Sequence, residues 1–410
     1  MIERVVRRSV NGALRQRGVA LLAALILMLA VVMVLGNIFY RHQIDVSHAG
    51  AAVHTDQALA LALSVESWAR QQVSKRAQRN GRPFNDPDVD HPGETWAQAV
   101  PMLPVEGGVI RGCLQDLQAK ININNFAWYG GNATALATEL STSPTAAMGT
   151  ARLWHNLLEL ADLPVTGARS AALVDWLDGN NNLVNAWGAE QPDYDGVRRI
   201  VANRPVADAS ELAAVIGYEL AEVQFLLPFI TALPVTPVGA SDGVITQTTI
   251  NINTASEGLL MALGGIHGED FVTAVLDGRG RGGHFTSLDD FWRELEIRLP
   301  MSRAQIEKRW PNTFLNVRSE FFQLYLEVLL GDIHIQLKST IDLRGIKRAN
   351  PTILAREIVV VPKFLPAAAV EEDALLDGES EQESTGEPAG DNDDREDLYR
   401  VQTACEVIGV

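Results

Sequence analysis

The densest run of oxygen-bearing side chains is DWLDGNNNLVNAWGAEQPDYDG, from Asp175 to Gly196. Asp178, Asn180 and Asn182 repeat the D-x-N-x-N opening of a calcium loop, in which alternate residues turn hard oxygen ligands inward. The match then breaks: Leu183 stands where the turn glycine belongs, and Ala189 takes the closing position one residue ahead of Glu190. Asp178, Asn180, Asn182, Glu190, Asp193 and Asp195 are therefore an irregular candidate calcium site, the alternative being a solvated acidic loop whose side chains cap helices. With only 2 cysteines, Cys113 and Cys405, a four-thiolate metal site is excluded. Two catalytic-looking strings lack their structural context. Gly239 to Gly243 satisfies G-x-S-x-G but follows the Pro-rich LPVTPV. Gly278 to Gly283 satisfies G-x-G-x-x-G but follows a helical pattern where a dinucleotide site needs a strand. The 8 His residues show no zinc-ligand spacing, and no string supports an enzyme.

The elements that would hold these residues begin with an apolar span. Arg4, Arg7, Arg8, Arg15 and Arg17 precede Gly18 to Tyr40, a stretch without a charged side chain. As a helix it is roughly 35 Å long, enough for a hydrocarbon layer of about 30 Å. The arginine bias puts the N-terminus in the cytoplasm and the rest of the chain outside. The helical pattern continues through QALALALSVESWARQQVSKRA, so that one helix of roughly 90 Å is expected from Val19 to about Arg79.

The body reads as α+β. Gly107 to Asn125 alternates like a β-hairpin, and strand-like runs return as FFQLYLEVLL, IHIQLKSTIDL, ILAREIVVV and LYRVQTACEVIGV. Between them lies an Ala/Leu-rich helical insertion. Its passage from Ile250 to Trp292 is similar to a helix-hairpin-helix: Thr254 or Ser256 caps a helix, Gly264, Gly265 and Gly268 turn, and a second helix runs from about Glu269 to Leu276. Residues 203–227 form a looser copy. Such hairpins can offer N–H groups to phosphates, but this one is flanked by Glu257, Glu269, Asp270, Asp277, Asp289 and Asp290. The net charge of the chain is −17, which also disfavours nucleic acid. Residues 371–397 hold 13 acids and one Arg, a composition expected to form a disordered loop.

The string RQRG followed by VALLAALILMLAVVMVLG resembles the leader of type IV prepilins and pseudopilins. That resemblance implies cleavage between Gly18 and Val19 by a prepilin peptidase, N-methylation of Val19, and a retained helix in the inner membrane with a periplasmic head. Most members carry Glu at the fifth mature position, where this chain has Ala23. Together with ININTASEGLLMAL, DWLDGNNN and GAEQPDYDG, this departure is similar to the K-type minor pseudopilins of type II secretion. The resemblance implies a pilin-like long helix and antiparallel sheet interrupted by an all-helical domain, and a bound calcium ion. The expected division is leader 1–18, membrane and spine helix 19–79, β domain 80–126, helical insertion 127–313, and the rest of the β domain 314–410 around the acidic loop.

A role at the tip of the pseudopilus follows from the resemblance. The expected partners are companion minor pseudopilins, the major pseudopilin, and exoproteins or the outer-membrane secretin. A minor pilin of a type IV pilus and a membrane-tethered DNA receptor are the competing readings. In an oxidising periplasm Cys113 and Cys405, both on expected strands, either close a loop of ~290 residues or stay as buried thiols.

Overall fold

The computed structural model describes residues 16–74, 78–79, 82–83, 88–98, 100–141, 146–236, 245–344, 351–361 and 405. Residues 1–15 of the leader, the GASDG string, the acidic run 371–397 and the last expected strand except Cys405 lie outside the described residues.

The chain is α+β. Helix α1 (Gln16–Val73) is 58 residues long and continuous. From Leu21 to Tyr40 its large apolar side chains are exposed, and the span is long and apolar enough to cross a membrane. Burial begins only at Ala58, and Ala62, Ala69 and Val73 continue the stripe at helical spacing. Three of these four are alanines, so the helix backbone lies close against the sheet. The helix stops six residues before the expected Arg79. Its buried stripe ends at Val73 and Ser74, and the Asn80-Gly81 dipeptide that follows is a strong hairpin signal. Gln78–Arg79 (β1) accordingly pairs with Arg82–Pro83 (β2).

The remaining strands are β3 (Val100–Val105), β4 (Gly108–Asp116), β5 (Ile121–Asn122), β6 (Ile230–Thr231), β7 (Ile250–Asn251), β8 (Leu315–Asn316), β9 (Phe321–Leu330), β10 (Ile333–Asp342) and β11 (Thr352–Val361). Five of them form one antiparallel sheet in the order β11-β10-β9-β4-β3. Its tight turns place Gly107 at φ 82° and Gly331 at φ 56°, where a side chain is strained. The inner face packs Ile110, Leu114, Leu324, Leu326, Leu337 and Ile341 against α1. Within that contact the buried Glu66 of α1 accepts two bonds from Arg356 of β11 (2.7 and 2.6 Å) and one from Ser339 of β10 (2.7 Å). Burial works to raise the Glu66 pKa, but the Arg356 and Ser339 bonds outweigh it and hold the carboxyl below its usual range. By strand alternation Cys113, Tyr325, Lys338 and Glu357, which stand opposite one another across four strands, line the outer face.

The expected hairpin over residues 107–125 is corrected by the structure. The hairpin partner of β4 is β3, which precedes it, while Ile121–Asn122 pairs in parallel with Ile230–Thr231. The reason lies in the asparagines. Asn124 clamps Val206 through both its amide atoms, accepting from Val206 N and donating to Val206 O at 2.9 Å each. The second I-N-I-N string repeats the device: β7 pairs with β8, and Asn253 accepts from Phe285 N (2.8 Å) and donates to Phe285 O (3.0 Å). Two copies of one tetrapeptide thus root the insertion, each fixing the entry to a capped segment that begins near Asp208 or Ser287.

The insertion contains α2 (Ala133–Glu139), α3 (Thr150–Leu160), α4 (Gly167–Leu177), α5 (Gln191–Tyr194), α6 (Leu220–Leu226), α7 (Glu257–Gly264), α8 (Gly268–Gly282), α9 (Leu288–Arg298) and α10 (Arg303–Arg309). One core unites them, with Phe126, Trp154, Tyr194, Phe271, Phe291 and Trp310 fully buried. Ser256 caps α7 as expected, accepting from Leu259 N. Helix α8 runs to Gly282 rather than ending at Leu276, so the G-x-G-x-x-G string lies mostly within a helix. Its extra turns place Arg279 to donate to Ile252 O (2.5 Å) and Ala255 O (2.9 Å), tying α8 to the strand before α7.

Where sheet and insertion meet, Asp116 is buried at the end of β4. Its Oδ2 accepts from Ser319 (2.5 Å), Thr254 (2.5 Å) and Asn251 (3.1 Å). Burial pushes its pKa up and the Asp90 carboxylate adds to the rise; the Ser319, Thr254 and Gln118 bonds pull it back, leaving it at about 6. The folded state therefore holds this proton more tightly than the unfolded state does. Its stabilising contribution is lost as pH rises from 3.8, the ordinary value for an aspartate, to about 6 and is constant above. The difference in thermal midpoint between wild type and Asp116→Asn should move against the wild type over that window. A difference independent of pH would refute the shift.

Candidate functional site

The acidic region of the insertion is built on the end of α4. Thr166 caps this helix by accepting from Arg169 N, and its last turns are buried, with Asp175 fully so. Asp175 organises the loop that follows: Oδ1 accepts from Val184 N and Oδ2 from Ala189 N, both at 2.8 Å. A Cβ on Gly188 would fall 1.9 Å from Asp175 Oδ2, so the loop closes only around glycine there. Asp178 terminates α4 and accepts from Asn180 N (3.1 Å), and Asn180 accepts from Asn182 N (2.8 Å). The chain then returns to Glu190 at the start of α5, whose Tyr194 is buried against Trp176 with ring centroids 5.1 Å apart.

This folding brings Asp178 and Glu190 together with Asp175. Asp178 Oδ2 and both Glu190 carboxylate oxygens are buried without a well-formed hydrogen bond. Glu190 leans toward the N–H groups of the first turn of α5, and none of these is placed well enough to satisfy it. Burial raises the Asp175 pKa to about 6, with the Asp178 and Asp193 carboxylates adding to the rise against the two backbone bonds. Burial also raises Asp178, and it raises Glu190 together with the charges of Asp175, Asp178 and Asp193. Unsatisfied carboxylate oxygens of this kind suit a hard divalent cation that takes oxygen ligands. Among the described residues no three acidic, His or Cys side chains converge closely enough to hold a metal by themselves. A cation here would therefore draw on loop carbonyls and water as well.

The other residues singled out by the sequence lie around this pair. Asn180 is engaged with Asn182 N, Asp193 Oδ2 accepts from Glu190 N (3.0 Å), and Asp195 Oδ1 accepts from Gln191 Nε2 (2.8 Å). Asn182, Asp193 and Asp195 are exposed. Asp175 was not singled out, although its place three residues before Asp178 in a helical stretch put both carboxylates on one face. Leu183, Trp187, Val197 and Ile200 stand out around the loop at 50%, 69%, 58% and 84% exposure, apolar side chains available to a partner.

Elsewhere, Gly18 and Val19 fall in the first turn of α1 and Ala23 on its exposed apolar part. Cys113 and Cys405 are joined in a disulfide with Cα atoms 5.3 Å apart. The α7–α8 hairpin carries Glu269 and Asp270 in the first turn of α8, where a phosphate would have to approach, and Arg279 is turned inward.

Family models described as "Type II secretion system (T2SS), protein K" match residues 119–235 and 250–308, one on each I-N-I-N unit of the insertion. The type II secretion system protein K of Pseudomonas aeruginosa is 30% identical over 348 residues, covering 84% of this chain and 93% of that protein. The protein of the same name from Aeromonas hydrophila is 26% identical and covers 84% of this chain and 97% of its own length. Among solved structures, the GspK-GspI-GspJ complex of enterotoxigenic Escherichia coli contains a chain with the same fold. The match has a TM-score of 0.57 at 21% identity and covers 76% of this chain and 99% of that one. The membrane-length helix, the five-stranded sheet, the doubly rooted helical insertion and relatives matched along nearly their whole length make this chain a member of the type II secretion system protein K family.

Proposed function

We propose that this chain is the minor pseudopilin that occupies the tip of the type II secretion pseudopilus and starts its assembly. The observation that carries this reading is Ala23 in the uncharged, exposed stretch of α1 that runs to Tyr40. A carboxylate at that depth in a bilayer is costly and persists only with a partner such as the amine of the next subunit. A subunit with no carboxylate there has no need of a neighbour above it. The insertion, a helical body with its own core, likewise fits a position beyond which nothing stacks. The structural neighbour was solved with GspI and GspJ, which supports two companion minor pseudopilins as partners here. The exposed apolar residues around the acidic loop offer a surface to an exoprotein or to the secretin.

The same reading includes processing and a metal. A prepilin peptidase cuts between Gly18 and Val19, leaving N-methyl-Val19 on an inner-membrane helix with its head in the periplasm. A calcium ion is held by Asp178 and Glu190 with backbone and water oxygens, where it supplies positive charge to a buried acidic group and fixes the loop.

The test combines both ends of the proposal. Mass spectrometry of the mature protein should find N-methyl-Val19, and an intact Met1 would overturn the reading. Ala23→Glu should reduce secretion and fibre initiation well below an Ala23→Ser control. Equal phenotypes would remove the argument for the tip.

A further inference from the structure

A cleft of about 340 Å³ lies between the outer face of the sheet and the root of the insertion, and most of its charges are matched. Lys338 stands opposite Glu357 across β10 and β11. It also faces Asp208: burial works to raise the Asp208 pKa, but the bonds from Ser210 and then the Lys338 charge outweigh it. Arg356 borders the cleft with its guanidinium held by Glu66. Lys120 is different. Half-buried just before β5, it has no hydrogen bond or ion pair among the described residues. Burial, followed by the neighbouring Lys338 charge, lowers its pKa to about 8.

Two further donors line the same cleft. Gln323 is 5% exposed, and its Nε2 is buried without a hydrogen-bond partner. The Tyr325 hydroxyl also lacks an acceptor among the described residues. Burial, with the Asp208 and Glu357 charges adding to it, raises the Tyr325 pKa, so the phenol keeps its proton and donates. Gln323 and Tyr325 are alternate residues of β9 and therefore share its outer face. An ammonium, an amide and a phenol without acceptors call for oxygen lone pairs, because each donor removed from water is costly while unpaired. The single uncompensated positive charge matches a carboxylate. A dianion would meet Asp208 and Glu357 in the same cleft and be repelled. Leu117, Leu227 and Ile230 supply apolar wall, and the volume is at the lower end of those that hold a whole small ligand, about 300 Å³.

We propose that this cleft binds a small aliphatic monocarboxylate, with Lys120, Gln323 and Tyr325 receiving the carboxylate and Leu117, Leu227 and Ile230 the hydrocarbon part. Lys120 and Ile230 belong to the root of the insertion and Gln323 and Tyr325 to the sheet, so the bound acid bridges the two parts of the head. The site shares no residue with the acidic loop or the membrane span, and it stands independently of the tip assignment.

The experiment is equilibrium dialysis of radiolabelled hexanoate against the full chain in detergent, with empty micelles as the blank. Saturable binding to one site per chain is expected, displaced by unlabelled hexanoate and not by hexanamide or inorganic phosphate. Lys120→Gln should weaken it about tenfold, the loss of one charge-assisted bond, and Tyr325→Phe several-fold. Thermal midpoints of both variants show whether they fold. If Lys120→Gln does not, Tyr325→Phe, which loses only a hydroxyl, decides alone. Binding that never saturates above the micelle blank would overturn the proposal. Displacement by hexanamide as strong as by hexanoate would mean that the carboxylate is not read, and equal displacement by phosphate that the site is an unselective anion site; either result overturns it. So would wild-type affinity in folded variants, which would put the bound acid elsewhere.

Discussion

Replacing Cys113 and Cys405 by serine is expected to lower the stability of the soluble head by up to about 5 kcal/mol, with unfolding at a markedly lower denaturant concentration. The size follows from the 292-residue separation of the two cysteines, one of the longest loops a chain of this length could close. Cross-linking such a loop removes much of the freedom of the unfolded chain, whichever local contacts the bond makes. The bond also fixes Cys405 to β4, the strand next to the β3 edge of the sheet. Wild-type protein under reducing conditions should fall to the midpoint of the double serine variant. If reduction leaves the midpoint where it was, the disulfide contributes nothing. If serine variants fall further than reduced wild type, the loss comes from packing at Cys113 instead.

The second large effect is expected from calcium. With chelator present, Asp175, Asp178 and Glu190 share a buried region in which Asp178 Oδ2 and both Glu190 oxygens lack partners. Binding a cation there should stabilise the insertion by about 2.7 kcal/mol at a calcium concentration 100 times the dissociation constant. Glu190→Gln provides a test by sign. It removes a charge that the metal-free protein bears at a cost, so it should be more stable than wild type in chelator. It also removes a ligand, so with saturating calcium it should be less stable. Asp178→Ala should abolish the calcium-dependent rise in thermal midpoint. A wild-type midpoint that does not respond to calcium would leave these carboxylates without a metal.

Much of the outline of this protein could be read from residue patterns whose physics is local. A span from Gly18 to Tyr40 without charge has few fates other than a helix in an apolar medium, and α1 shows that helix running on to Val73. The runs beginning at Phe321, Ile333 and Ile353 alternate or are uniformly apolar between turn glycines, and they form β9, β10 and β11. Ser256 and the glycines after it mark the α7–α8 turn for the same reason: caps and left-handed turns are satisfied by neighbours in sequence.

What the sequence could not determine depends on partners far along the chain. ININN has the alternation of a strand, and nothing within it says that Ile121 pairs with Ile230 or that Asn124 clamps Val206, 82 residues away. The same holds for Glu66, which reads as a polar break in an apolar stripe until Arg356, 290 residues later, supplies its counter-charge. In the acidic loop, type and spacing nominate six oxygen-bearing residues. Tertiary folding decides which of their oxygens are taken by backbone N–H groups and which are left buried and unsatisfied. Local sequence specifies which groups are present and what conformations they prefer. Whether a buried polar group is paired, repelled or left open is set by what long-range folding brings within about 4 Å of it, because only at that range do desolvation and hydrogen bonding exchange places.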